Sequence, residues 1–186
     1  MSTNETPLRQ KSIALIGFMG VGKTSIGKEV AKMLYRDFID ADKEIESAFH
    51  MPASEIFQTY GEKVFRHKEK EILQKLCKQK LKIISLGGGA FLQEEIRNVC
   101  LEECIVFYLD LSWESWQERI SLLIDSRPVL QDKSLKEIKA LFEERKSIYQ
   151  DHHSAVATDQ LMIEDAAAYI VKSLKTAWDI YEPQNN

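Results

Sequence analysis

Apolar and polar positions along the chain follow two different periods in alternation. Short runs at 12–17, 37–42, 82–89 and 104–111 read as strands, the first short and buried, the second ending in two acids and the third running into glycines. Between them, apolar residues recur three and four positions apart, which predicts amphipathic helices at 23–34, 43–49, 53–60, 62–79, 93–101, 113–122, 135–151 and 163–181. The run SAVAT at 154–158 reads as a last strand ahead of the final helix. Strands alternating with helical segments imply an α/β fold, with a central parallel sheet of about five strands covered by helices on both faces.

Three clusters of unusual composition fall where predicted strands end: GFMGVGKT after the first, the acids of DAD after the second, and GGG after the third. In an open parallel sheet, loops at the carboxyl ends of the strands converge on one crevice, and ligands bind there. Residues 17–24 fit G-x-x-x-x-G-K-[ST] without a gap, with a strand before and a helix after. Such a loop curls so that backbone N–H groups point at one phosphate, and the helix behind it adds the positive end of its dipole. Gly20, Val21, Gly22, Lys23, Thr24 and Ser25 therefore form a site for a nucleoside triphosphate. Lys23 is placed to neutralise the β- and γ-phosphates and Thr24 to ligate Mg²⁺. The base-reading N-K-x-D of a GTPase does not occur, and a motor ATPase needs a larger chain. A small kinase remains, which must bring a second substrate beside the γ-phosphate.

Composition narrows the setting. At 186 residues and 44% hydrophobic, the chain suits one well-buried domain, with polar tails at 1–11 and 182–186. A net charge of −4 argues against general attraction to nucleic acid or an anionic membrane. No apolar run approaches the ~18 residues of a membrane span, and the polar start lacks the core of a signal peptide, so a cytoplasmic setting is expected; a monomer is the separate expectation for its assembly. Cys77, Cys100 and Cys104 lack a zinc-like pattern and read as reduced thiols. His152 and His153 read as a surface loop, and Trp113, Trp116 and Trp178 as helix packing.

The candidate chemistry beyond the phosphate loop rests on acids and arginines. Asp40 and Asp42 alternate along the predicted strand end, so one faces the metal side while the other faces an acceptor alcohol. A carboxylate within hydrogen-bond reach of that alcohol orients it and accepts its proton. Asp42 is equally placed to cap the helix that follows it. Arg66 lies on a highly charged helix with Glu69 three residues on, close enough to brace it. The glycines at 87–89 permit close backbone approach to a ligand.

In their order along the chain, the phosphate loop, FIDADKEIE, IFQTYGEKVFRHKE, SLGGGA, RPVL and FEERKSIY closely resemble the shikimate kinases, from about residue 12 to 169. That resemblance implies a P-loop kinase fold with a substrate-binding helical region at about 42–70 and a lid at about 119–133. It implies MgATP and shikimate as ligands, with the γ-phosphate transferred to the 3-hydroxyl in the route to chorismate and aromatic amino acids. By the same resemblance Asp40 stands near Mg²⁺ and Asp42 binds substrate hydroxyls. Arg66, steadied by Glu69, and Arg145 hold the carboxylate, and Gly87, Gly88 and Gly89 line the pocket. Arg127 reaches the transferring phosphoryl group and ATP from the lid's edge. Two guanidinium forks suit a carboxylate better than lysine does. A gluconate or nucleotide kinase, and an ATP-binding module without turnover, are the rival readings.

Overall fold

The computed structural model describes residues 6–119 and 133–182. The element that organises the rest is β1 (Ser12–Ile16), whose five residues are all buried, as expected of a strand with neighbours on both sides and helices above and below. It pairs in parallel with β3 (Lys82–Ser85) on one side and β4 (Cys104–Asp110) on the other. β2 (Asp37–Asp40) adds outside β3 and β5 (Ser154–Ala157) outside β4, giving the order β2-β3-β1-β4-β5, parallel throughout.

The intervening helices are α1 (Lys23–Leu34), α2 (Ala41–Phe49), α3 (Ala53–Cys77), α4 (Glu94–Glu103), α5 (Trp113–Arg119), α6 (Leu135–Ile148) and α7 (Ile163–Tyr181). α1 packs on α7, and α3 on α4. The main core joins β1, β3 and β4 to the apolar stripes of these helices. All three cysteines lie inside it as free thiols.

The register decides where the site forms. Leu15 and Asp40 both stand opposite Ser85, so the ends of β1, β2 and β3 are level across the sheet. The three clusters noted in the sequence therefore leave the sheet at the same height, on neighbouring strands. One expectation is corrected here: the second strand stops at Asp40 rather than 42, and α2 begins at once. Asp40, not Asp42, caps that helix, its Oδ1 accepting the Asp42 N–H at 3.1 Å. Strand alternation is thus not what separates the two acids; Asp42 projects from the first helical turn.

A second, smaller core supports the α2–α3 region. Ile45, Ile56 and Phe65 are buried against one another, with Phe49, Met51 and Phe57 packed around them. Gly61, with φ 81° and ψ 165°, breaks α3 into two helical pieces, where the sequence predicts a break between 60 and 62. A non-glycine residue would be strained in this conformation.

Candidate active site

The phosphate loop leaves β1 at Gly17 and enters α1 through Gly22, whose φ of 97° suits glycine and whose lack of a side chain leaves the helix end uncapped. Gly17 runs so close to β4 that a Cβ there would meet the Leu109 carbonyl oxygen at 2.7 Å. Among the described α-helices α1 alone has no acid in its first turn. Its positive end is unopposed from within, which favours an external anion. Lys23 folds back over the loop, donating from Nζ to the carbonyls of Gly17 at 2.8 Å and Phe18 at 3.0 Å. Thr24 Oγ1 donates to Asp40 Oδ2 at 2.9 Å, bringing together the two expected metal-side groups. Trp116 of α5 donates from Nε1 to the Met19 carbonyl at 2.7 Å, so this tryptophan holds the loop as well as packing helices.

Two cavities open beside this loop. The larger, about 550 Å³, is lined by Gly20, Gly22, Lys23, Thr24 and Ser25 on one side and by Asp40, Asp42 and Lys43 on another. The smaller is a cup of about 80 Å³ lined by Phe57, Phe65, Arg66, the glycines 87–89 and Arg145. Met19, Asp42, Ala53 and Gly88 line both. Asp42 thus stands in the wall between a phosphate-binding cleft and an arginine-lined cup.

The cup is cationic by construction. Arg66 Nη1 is 2.7 Å from Glu69 Oε2 and its Nε 3.2 Å from Glu62 Oε1, while its guanidinium lies over the Phe65 ring at 5.5 Å. Burial works to lower the Arg66 pKa, but Glu69 and Glu62 more than offset it and hold the group above its usual value. Glu69 is itself buried and also accepts from Gln93 Nε2 at 2.8 Å. Burial pushes its carboxyl above the usual range, with Asp42 adding to the rise and Arg66 opposing it.

Arg145 reaches the cup from α6 with only 5% of its surface exposed. It has no salt bridge to a carboxylate among the described residues, and its Nε is buried without a hydrogen-bond partner. Burial holds its pKa below the ordinary value, and Arg66 contributes in the same direction. A buried cation with unused donors is costly until an anion joins it.

The glycines at 87–89 line the cup, and two of them also leave space for the protein's own charged groups. A Cβ at Gly87 would sit 2.5 Å from Asp42 Oδ1 and 3.1 Å from Glu69 Oε1, and one at Gly89 2.5 Å from Arg66 Nη2. Their missing side chains make room for the protein's own charged groups to close around the cup. Residues unforeseen in the sequence include Phe57, and Met19, Gln93 and Tyr149, whose hydrogen bonds cross long stretches of chain. His152 and His153 are also more than a surface loop: the His153 ring accepts the Val106 N–H at 2.9 Å, and His152 Nδ1 lies 2.8 Å from the Tyr149 carbonyl oxygen. Arg127, and most of the 119–133 stretch, lie outside the described residues.

Comparison with known proteins agrees with this geometry. A family model described as shikimate kinase matches residues 19–175. The chain is 64% identical to the shikimate kinase of Oceanobacillus iheyensis over 95% of this chain and 97% of the relative, and 58% identical to that of Bacillus subtilis over 95% and 96%. A solved structure of the shikimate kinase from Acinetobacter baumannii, in complex with shikimate, superposes with a TM-score of 0.84 at 30% identity, covering 91% of this chain and 96% of that one. With a model spanning most of the domain and relatives matched over nearly their full length, the chain belongs to the shikimate kinase family.

Proposed function

We propose that the chain transfers the γ-phosphoryl group of ATP to the 3-hydroxyl of shikimate, giving shikimate 3-phosphate and ADP for chorismate and aromatic amino-acid biosynthesis. The observation that carries this reading is the place of Asp42 in the wall common to the phosphate cleft and the arginine-lined cup. A ring carboxylic acid with several hydroxyls matches the cup, since Arg66 and Arg145 supply paired forks for its planar carboxylate. The remaining rim, with the glycines at 87–89 and Asp42, faces the hydroxyls.

In the reaction, Asp42 accepts the proton of the 3-hydroxyl as that oxygen forms its bond to the γ-phosphorus. The bond from phosphorus to the bridging β,γ-oxygen breaks, and ADP leaves with that electron pair. Gly20, Val21, Gly22, Lys23, Thr24 and Ser25 hold the triphosphate. Lys23 exchanges its loop carbonyls for phosphate oxygens, and Arg127 keeps the role the resemblance implies, a second cation at the transferring group. Charge spread over the equatorial oxygens is thereby matched by fixed donors.

The donor set beside the loop fits magnesium: Thr24 and Asp40 offer one hydroxyl and one carboxylate, and no group of three His, Cys, Asp or Glu among the described residues forms an all-protein cage. Such sparse ligation suits an ion that keeps waters and shares the phosphates. When bound, it would supply charge neutralisation on the phosphate oxygens. One domain over the whole chain, a monomeric state and a cytoplasmic setting complete the reading and rest on the composition described above. The test is ADP release with shikimate, gluconate or AMP as acceptor. Release dependent on shikimate alone is expected; comparable release with gluconate or AMP would overturn the assignment.

A further inference from the structure

Tyr149 follows α6 as its C-cap and is almost fully enclosed, with 1% of its surface exposed. Its Oη donates to the Gly88 carbonyl oxygen, in the middle of the glycine run that floors the cup. The same oxygen lies 3.4 Å from Arg145 Nη1, a long and weak contact beside the phenol's short one. Tyr149 and Arg145 are four residues apart, and the Tyr149 N–H donates to the Arg145 carbonyl at 3.1 Å. The phenol is held from behind, its ring 5.5 Å from that of Tyr108. Lys146 ties the same helix end to Asp110 at 3.1 Å. Burial pushes the Tyr149 pKa up to about 12, with Arg145 opposing the rise, so the phenol stays a proton donor at neutral pH.

A backbone carbonyl beside a buried guanidinium is a competitor for that guanidinium. Without the phenol's hydrogen bond to share it, Gly88 O would draw Nη1 closer and turn the fork away from a ligand carboxylate. We infer that Tyr149 is a positioning residue: by sharing the Gly88 carbonyl, it weakens that oxygen's hold on Arg145 Nη1 and keeps the fork available to the carboxylate of the acceptor substrate. This inference rests on the reading of the cup as a shikimate carboxylate site. It assigns Tyr149 no contact with substrate and no proton in the reaction.

Tyr149→Phe removes one hydroxyl and keeps the ring that packs on Tyr108. Equilibrium binding of shikimate and of its methyl ester should be measured by calorimetry for the natural chain and the variant, alongside ADP binding and thermal melting. Shikimate should bind the variant about five- to tenfold more weakly, the effect of one hydrogen bond, with less than a twofold change for the ester and for ADP. In an Arg145→Lys background the same substitution should change shikimate affinity less than twofold. Unchanged shikimate affinity in Tyr149→Phe would overturn the inference, as would an equal loss for acid and ester. If the natural chain bound neither acid nor ester, the functional reading would fall and take this inference with it.

Discussion

At the scale of single residues, the site depends on space as much as on charge. Gly87 has ordinary backbone angles, so its requirement is steric: an added Cβ would overlap Asp42 Oδ1. Gly87→Ala is expected to fold, yet to lower turnover at least tenfold by displacing the Asp42 carboxylate, which steady-state rates beside a melting curve would show. Asp42→Asn keeps the shape and loses the base. Turnover should fall by about 10²- to 10⁴-fold while ATP affinity measured by calorimetry stays within twofold. An Asn variant of undiminished rate would remove Asp42 from its role. Asp42 and Gly87 are forty-five positions apart, yet their types were legible because each cluster follows a strand. The contact of Gly87 with Asp42 was not, since nothing local to SLGGGA specifies which side chain fills the space above it.

At the scale of elements, local patterns worked where a breaker marks the boundary and failed where none does. Gly61 interrupts the helical period of α3, and the break stands where the pattern places it. β2 runs into α2 with no loop residue at all, because Asp40 ends one and caps the other, so the sequence DFIDAD reads as one strand. Trp116 looks like ordinary packing in sequence, whereas its Nε1 bond to Met19 spans 97 positions, a pairing only the folded sheet creates. α5 is anchored in turn by Asp159, whose Oδ1 accepts from Ser112 N–H at 3.0 Å and Ser115 Oγ at 2.7 Å. The Ser112 hydroxyl comes first among the causes that hold the Asp159 pKa below its usual value, ahead of the Ser115 hydroxyl and the Ser112 N–H. Because the folded pKa is the lower one, this tether stabilises above the unfolded value of about 3.8 and is lost as pH falls through the folded value. Carboxyl NMR titration should find the depressed pKa, and Ser112→Ala together with Ser115→Ala should return it toward 3.8.

At the scale of the whole molecule, the two cores divide the labour. The large one binds sheet to helices, and the small one, around Ile45, Ile56 and Phe65, supports the cup's outer wall. A core of three buried residues protects its backbone less than one running through three central strands. Amide hydrogen exchange should therefore be faster in α2 and the first part of α3 than in β1, β3 and β4, and shikimate should slow it selectively in the former. Equal protection in both regions would show that they open as one unit. That the sheet is parallel follows from alternating strand and helix, but its strand order and the level ends of β1, β2 and β3 depend on pairing, which no single strand encodes.

The partition carrying Asp42 has a consequence for how such a protein can diverge. Since that wall borders both chambers, reshaping it for a new acceptor also disturbs the nucleotide side. Phe57, Phe65 and Arg66 border the cup alone. Retooling toward a bulkier hydroxy acid is thus expected to proceed from the aromatic rim inward, leaving the shared partition as inherited ground.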